Sequence, residues 1–83
     1  MLNPTNLAEV QQFVKYVVFD LDVNFHPDTD FNDYTNSSGL PCFDKQNADS
    51  LNSVLAQAFI ICGANGTDIY EVSLPMLQAR VFV

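Results

Sequence analysis

"KYVVFDLDVNF", residues 15–25, is the stretch on which the fold turns. Val17, Phe19, Leu21, Val23 and Phe25 alternate strictly with Val18, Asp20, Asp22 and Asn24, and His26 continues the polar set. Successive side chains of a strand point to opposite faces, so a period of two predicts a half-buried strand with its acids in water. Pro27 ends it, since proline has no N–H for a ladder. Before this stretch, Leu7, Val10, Phe13, Val14 and Val17 recur at helical spacing, and Asn6 with Glu9 forms a loose capping box. A short N-terminal helix over residues 4–16 therefore leads into the strand, or the strand itself begins near Gln11.

On the C-terminal side the firmest element is a helix at about 45–62. Asp44 is a good N-cap after Phe43, and Leu51, Val54, Leu55, Ala58, Phe59 and Cys62 make an i, i+3, i+4 stripe. Gly63 can take the left-handed conformation that stops it, and Asn65-Gly66 turns the chain. Tyr70, Val72 and Leu74 then alternate with Ile69, Glu71 and Ser73 as a second strand. After Pro75, Leu77, Ala79, Val81 and Val83 alternate as a third. The expected fold is α+β: a small, mostly antiparallel three-stranded sheet with one principal helix packed on it. Residues 1–83 form a single compact domain with a long acidic loop at 27–42, "PDTDFNDYTNSSGLPC". Connections of that length tend to be functional or mobile.

The composition narrows the classes of function. An 83-residue chain that is 48% apolar is globular rather than disordered, yet has room for one thin core. A homodimer is a natural way to cover its remaining apolar surface. Ten acids against three Lys and Arg leave a net charge of −7, with a pI of about 4.1. Direct binding of nucleic acid needs cationic side chains to displace counterions, and adhesion to an anionic membrane needs the same; both are excluded. A basic protein surface is the partner this charge attracts. Asp20, Asp22, Asp28, Asp30, Asp33, Asp44 and Asp49 are opposed between them only by Lys45. "MLNPTNLAEV" at the start lacks the basic and apolar regions of a signal peptide. Cys42 and Cys62 flank the predicted helix, roughly 25–30 Å apart at about 1.5 Å per residue, beyond the reach of a disulfide. Reduced thiols and a cytoplasmic location follow.

Two motifs invite sharper readings. The apolar run ending in Asp20-Leu21-Asp22 resembles the first motif of the haloacid-dehalogenase phosphohydrolases. The resemblance implies Asp20 as nucleophile, Asp22 as general acid and magnesium between carboxylates and phosphate. The chain departs from that family after Asp22, with Val23-Asn24 where Gly-Thr is usual. It also lacks the later phosphate-binding lysine and second acidic pair, and is far too short for that doubly wound fold. Asp28, Asp30 and Asn32 take the first, third and fifth positions of a calcium loop, but the sixth is Asp33 instead of Gly and the twelfth is Gly39 instead of Glu. His26 is the only histidine and has no second ligand at metal spacing.

The expected function is therefore that of a small acidic, non-enzymatic interaction protein without a cofactor. Asp20 and Asp22, about 6.6 Å apart on one strand face, would match the spacing of successive phosphates. Asp28, Asp30 and Asp33 interleave with Phe31 and Tyr34, combining charge with aromatic anchors. The sharper form is inhibition of a nucleic-acid-processing or defence complex by charge mimicry. In size and charge the chain is similar to anti-CRISPR and anti-restriction proteins of phages and mobile elements. The alternatives are a metal- or ligand-binding domain using the loop from His26 to Asp33, and a structural homodimer. For Phe31 and Tyr34 the plainer reading is that they fold inward and seal the core.

Overall fold

The structure, a computed structural model, describes residues 3–80. Its regular elements are helical. Helix α1 spans Leu7–Lys15 and runs directly into a π-helical turn at Tyr16–Asp20, α2 spans Lys45–Ala64 and α3 spans Ile69–Ala79. A single 3-10 turn, Phe31–Asp33, interrupts the long connection between the first two helices. Among the described residues there is no sheet, only an isolated antiparallel bridge between Thr35 and Pro41. The expected α+β fold with its three-stranded sheet is overturned.

The first expected strand fails because the helical period of α1 does not stop at Lys15. Val10, Phe13, Val14, Val17 and Val18 are all fully buried, whereas Phe19, expected inward, is 44% exposed. Val17 and Val18 both face inward as the i+7 and i+8 positions of the face begun at Val10, and the helix widens as it ends: the Leu21 N–H reaches the Tyr16 carbonyl at 2.9 Å, a five-residue step. The alternation survives only beyond the turn. Val23 and Phe25 are buried, Pro27 with them, while Asp22, Asn24 and His26 face out. That segment pairs with no strand among the described residues.

Asp22 carries the chain out of the helical region in the left-handed conformation, φ 59°. Its carboxylate pairs with Arg80, whose guanidinium also donates to the carbonyls of Val18 and Val23, the latter at 3.2 Å. The last carbonyls of a helix have no partners within it. One cation from the C-terminal end of α3 thus satisfies the end of α1 and ties the two helices together.

The second expected strand is α3. Asp68 accepts from the Tyr70 N–H, and the Glu71 side chain returns to the Asp68 N–H, a capping box in front of an apolar run. Ile69, Val72 and Ser73 are buried, with Met76 and Leu77 partly so, which is helical spacing (i, i+3, i+4, i+7, i+8). Pro75 lies inside this helix rather than between two strands. Of the third expected strand, Leu77 and Ala79 belong to α3, and Val81 and Val83 lie outside the described residues.

Helix α2 forms as expected, with adjusted ends and face. Asp44 caps it through the Asn47 N–H at 2.8 Å. It continues to Ala64, and Gly66, at φ 67°, takes the left-handed position expected of Gly63. Ile61 is buried and Phe59 is 41% exposed, the reverse of the expected stripe at that turn. Helix α1 packs against both α2 and α3, and the 3-10 turn packs on α2. No helix among the described residues is long and apolar enough to cross a membrane.

Candidate functional site

The segment at 27–42 was expected to be a long loop; it is instead built from short turns pinned to α2. The Thr29 N–H closes on the His26 carbonyl at 2.9 Å. Asp30 caps the 3-10 turn, its Oδ1 accepting from the Asn32 N–H at 2.7 Å. Farther on, Asn36 Oδ1 accepts from the N–H groups of Ser38 and Leu40, and the Cys42 N–H returns to the Tyr34 carbonyl at 2.9 Å. Gly39, φ 79°, lets that lobe fold back on itself.

The attachment to α2 is a chain of amides and carboxylates. Asn52 Oδ1 accepts the Phe31 N–H at 3.0 Å, and Asn52 Nδ2 donates to Asp30 Oδ1 at 2.9 Å. Asn32 Nδ2 donates to the same oxygen at 2.9 Å and to Asp49 Oδ1 at 3.1 Å. Lys45 closes the row, its Nζ 3.1 Å from Asp49 Oδ2. Hydrogen bonds from the Asn32 backbone, the Asn52 amide and the Asn32 amide hold the Asp30 carboxyl below its ordinary value of 3.8. The Asn32 amide and then Lys45 do the same for Asp49. Most of those donors are neutral. They favour the ionised form without cancelling its charge.

Beneath this surface lies an aromatic cluster. Phe31 is fully buried, with its ring centroid 6.0 Å from Phe25, 5.4 Å from Tyr34 and 5.8 Å from Phe43. The plainer reading therefore holds for Phe31: its side chain is core and presents no surface to a partner. Tyr34 is half-buried, and its hydroxyl accepts from the His26 N–H at 2.7 Å and donates to the His26 carbonyl at 3.0 Å. Burial pushes its phenol above the usual value. Tyr34 is a clasp on the backbone at His26 more than an exposed anchor.

The remaining expected site residues separate. Asp20, at the end of the π-helical turn, and Asp33, at the end of the 3-10 turn, are exposed. Asp22 is engaged by Arg80, and the Tyr70 hydroxyl donates to the Asp28 carboxylate. With no strand, the regular spacing of about 6.6 Å expected for Asp20 and Asp22 is lost, and with it the phosphate-like geometry. Neither aspartate stands at the end of a parallel strand, so the placement that the phosphohydrolase resemblance implies is not formed. The expected metal loop also comes apart, because Asp28 turns to Tyr70 while Asp30 turns to Asn32 and Asn52. Among the described residues no group of three or more His, Cys, Asp or Glu side chains could hold a metal ion. Cys42 is exposed and Cys62 buried, both as free thiols. Burial raises the Cys62 thiol above its ordinary value.

Reading the residues missed Asn32, Asn52, Asp49 and Tyr70 as organisers of this surface. Only the Lys45–Asp49 spacing of four on a helix was a legible signal. Asn52 meets Asp30 across 22 positions of sequence, and no local pattern marks such a pair. No family model matches the chain, and neither a curated protein nor a solved structure does.

Proposed function

We propose that the chain is a small binding module whose acidic surface, from Asp28 to Asp49, engages a basic surface on another protein. One observation carries this reading. The Asp30 and Asp49 carboxylates are fixed on a helix-backed frame and kept ionised largely by neutral amides, with Lys45 as the adjoining cation. Had solubility been the only role of these acids, freely solvated side chains would have sufficed. Acids fixed in place lose less conformational freedom on binding than mobile ones, and a net charge of −7 raises the rate of encounter with a cationic partner. Binding of this kind requires no catalytic group or cofactor. Specific mimicry of a nucleic acid loses its main support with the strand, and the general reading stands without it.

The test is affinity capture from a lysate of the native host, at low salt and at about 0.5 M, where screening reaches only a few ångströms. Recovery of a basic protein that is lost at high salt supports the reading. Recovery of nothing basic contradicts it.

A further inference from the structure

We propose that the open groove along the outer side of α3 seats an arginine side chain of the basic partner; this inference rests on the binding reading above. The groove, about 360 Å³, is lined by Asp68, Tyr70, Glu71, Leu74, Pro75 and Gln78. Its floor is apolar, with Leu74 47% exposed and Pro75 exposed beside it. Its rim is acidic. Asp68 and Glu71 belong to it directly, and the Asp28 carboxylate adjoins it through the Tyr70 hydroxyl. The described ion pairs, Lys45–Asp49 and Arg80–Asp22, use other carboxylates.

The α3 N-terminus sets about half a positive charge against these acids, so the groove remains negative. Pro75 adds an acceptor: lacking an N–H, it cannot serve the Glu71 carbonyl one turn back. The occupant must therefore bring several donors, positive charge and an apolar stem. Arginine has five donors on a weakly hydrated planar group, and its methylenes can lie along Leu74 and Pro75. Lysine carries a strongly hydrated point charge and fits the apolar floor less well.

The experiment is an NMR titration of the ¹⁵N-labelled chain with acetylated hexa-arginine and, separately, hexalysine. Asp68→Asn with Glu71→Gln removes both charges, yet Asn still caps a helix and Gln still completes a capping box. Glu9→Gln with Asp20→Asn, both outside the Asp28–Asp49 surface and the groove, is the control of equal charge loss. The expected result is that hexa-arginine shifts the amides of residues 68–78 and binds more tightly than hexalysine. The groove variant should weaken it about five-fold and the control less than about two-fold, the range of exposed ion pairs. Leu74→Ser should weaken hexa-arginine more than hexalysine. Shifts centred on residues 28–49, or equal losses in the two double variants, overturn the groove while leaving the general reading in place. Failure of both peptides to bind at low salt overturns the groove and the binding reading together.

Discussion

Replacing Asn52 with alanine removes the link between the acidic segment and α2. Two hydrogen bonds go: the Phe31 N–H loses its acceptor at 3.0 Å, and Asp30 loses an amide donor at 2.9 Å. The first dominates stability, because Phe31 is buried and its N–H would be left without a partner. An unsatisfied buried donor costs about 1–3 kcal/mol. In a domain of this size about 2 kcal/mol lowers the melting temperature by about 8–16 °C. Thermal unfolding followed by circular dichroism at 222 nm reads the change, and hydrogen exchange at the Phe31 amide locates it. Ser53→Ala is the neighbouring control; the exposed Ser53 hydroxyl donates only to the Asp49 carbonyl on its own helix, so its loss should stay within about 0.5 kcal/mol. A fall of less than about 2 °C for Asn52→Ala, with Phe31 exchange unchanged, would refute the claim that α2 organises this surface.

Arg80→Ala should destabilise by about 2–4 kcal/mol, since it strands the carbonyls of Val18 and Val23 and frees Asp22, and chemical denaturation measures it. Ser73→Ala should raise stability or leave it unchanged, by about 0–1 kcal/mol in the same assay, because the Ser73 hydroxyl is buried with no hydrogen-bond partner. The acid limb of stability should also carry the mark of Asp30 and Asp49. Both are depressed in the folded state, so their contribution is present above the ordinary carboxyl value of 3.8 and is lost as pH falls below it. Melting temperatures taken down to pH about 2 should therefore fall less steeply for Asp30→Asn than for the native chain; identical limbs would contradict the assignment.

Legibility varied with how local the deciding interaction was. Helix α2 could be read because its cap, Asp44, and its apolar stripe lie within one continuous segment. Residues 17–25 misled because an alternating pattern and a continuing helical one share Val17, Leu21 and Phe25 at that length, and only Val18, buried as the i+8 position after Val10, separates the two. Residues 69–79 carry a helical signal beside the alternating one. The capping box of Asp68 and Glu71 announces a helix, and it outranks the alternation of Tyr70, Val72 and Leu74. Pro75 reinforced the error, since a proline one turn and more inside a helix reads as a break. At the candidate site the acids themselves were legible, being runs of Asp in a polar segment. What arranges them was not. Asn52 with Asp30, Tyr70 with Asp28 and Arg80 with Asp22 are contacts between segments far apart in sequence, set by how the three helices pack.

The measurement that bears hardest on the proposed role is the affinity of the captured basic partner for the native chain and for the doubly reversed variant Asp33→Lys with Asp49→Lys, each across a salt series. The native chain should bind more weakly as salt rises, and the variant should bind weakly at every concentration with a flattened salt dependence. Equal affinities with parallel salt curves would show that the partner uses some other part of the surface, and the acidic face would lose its role.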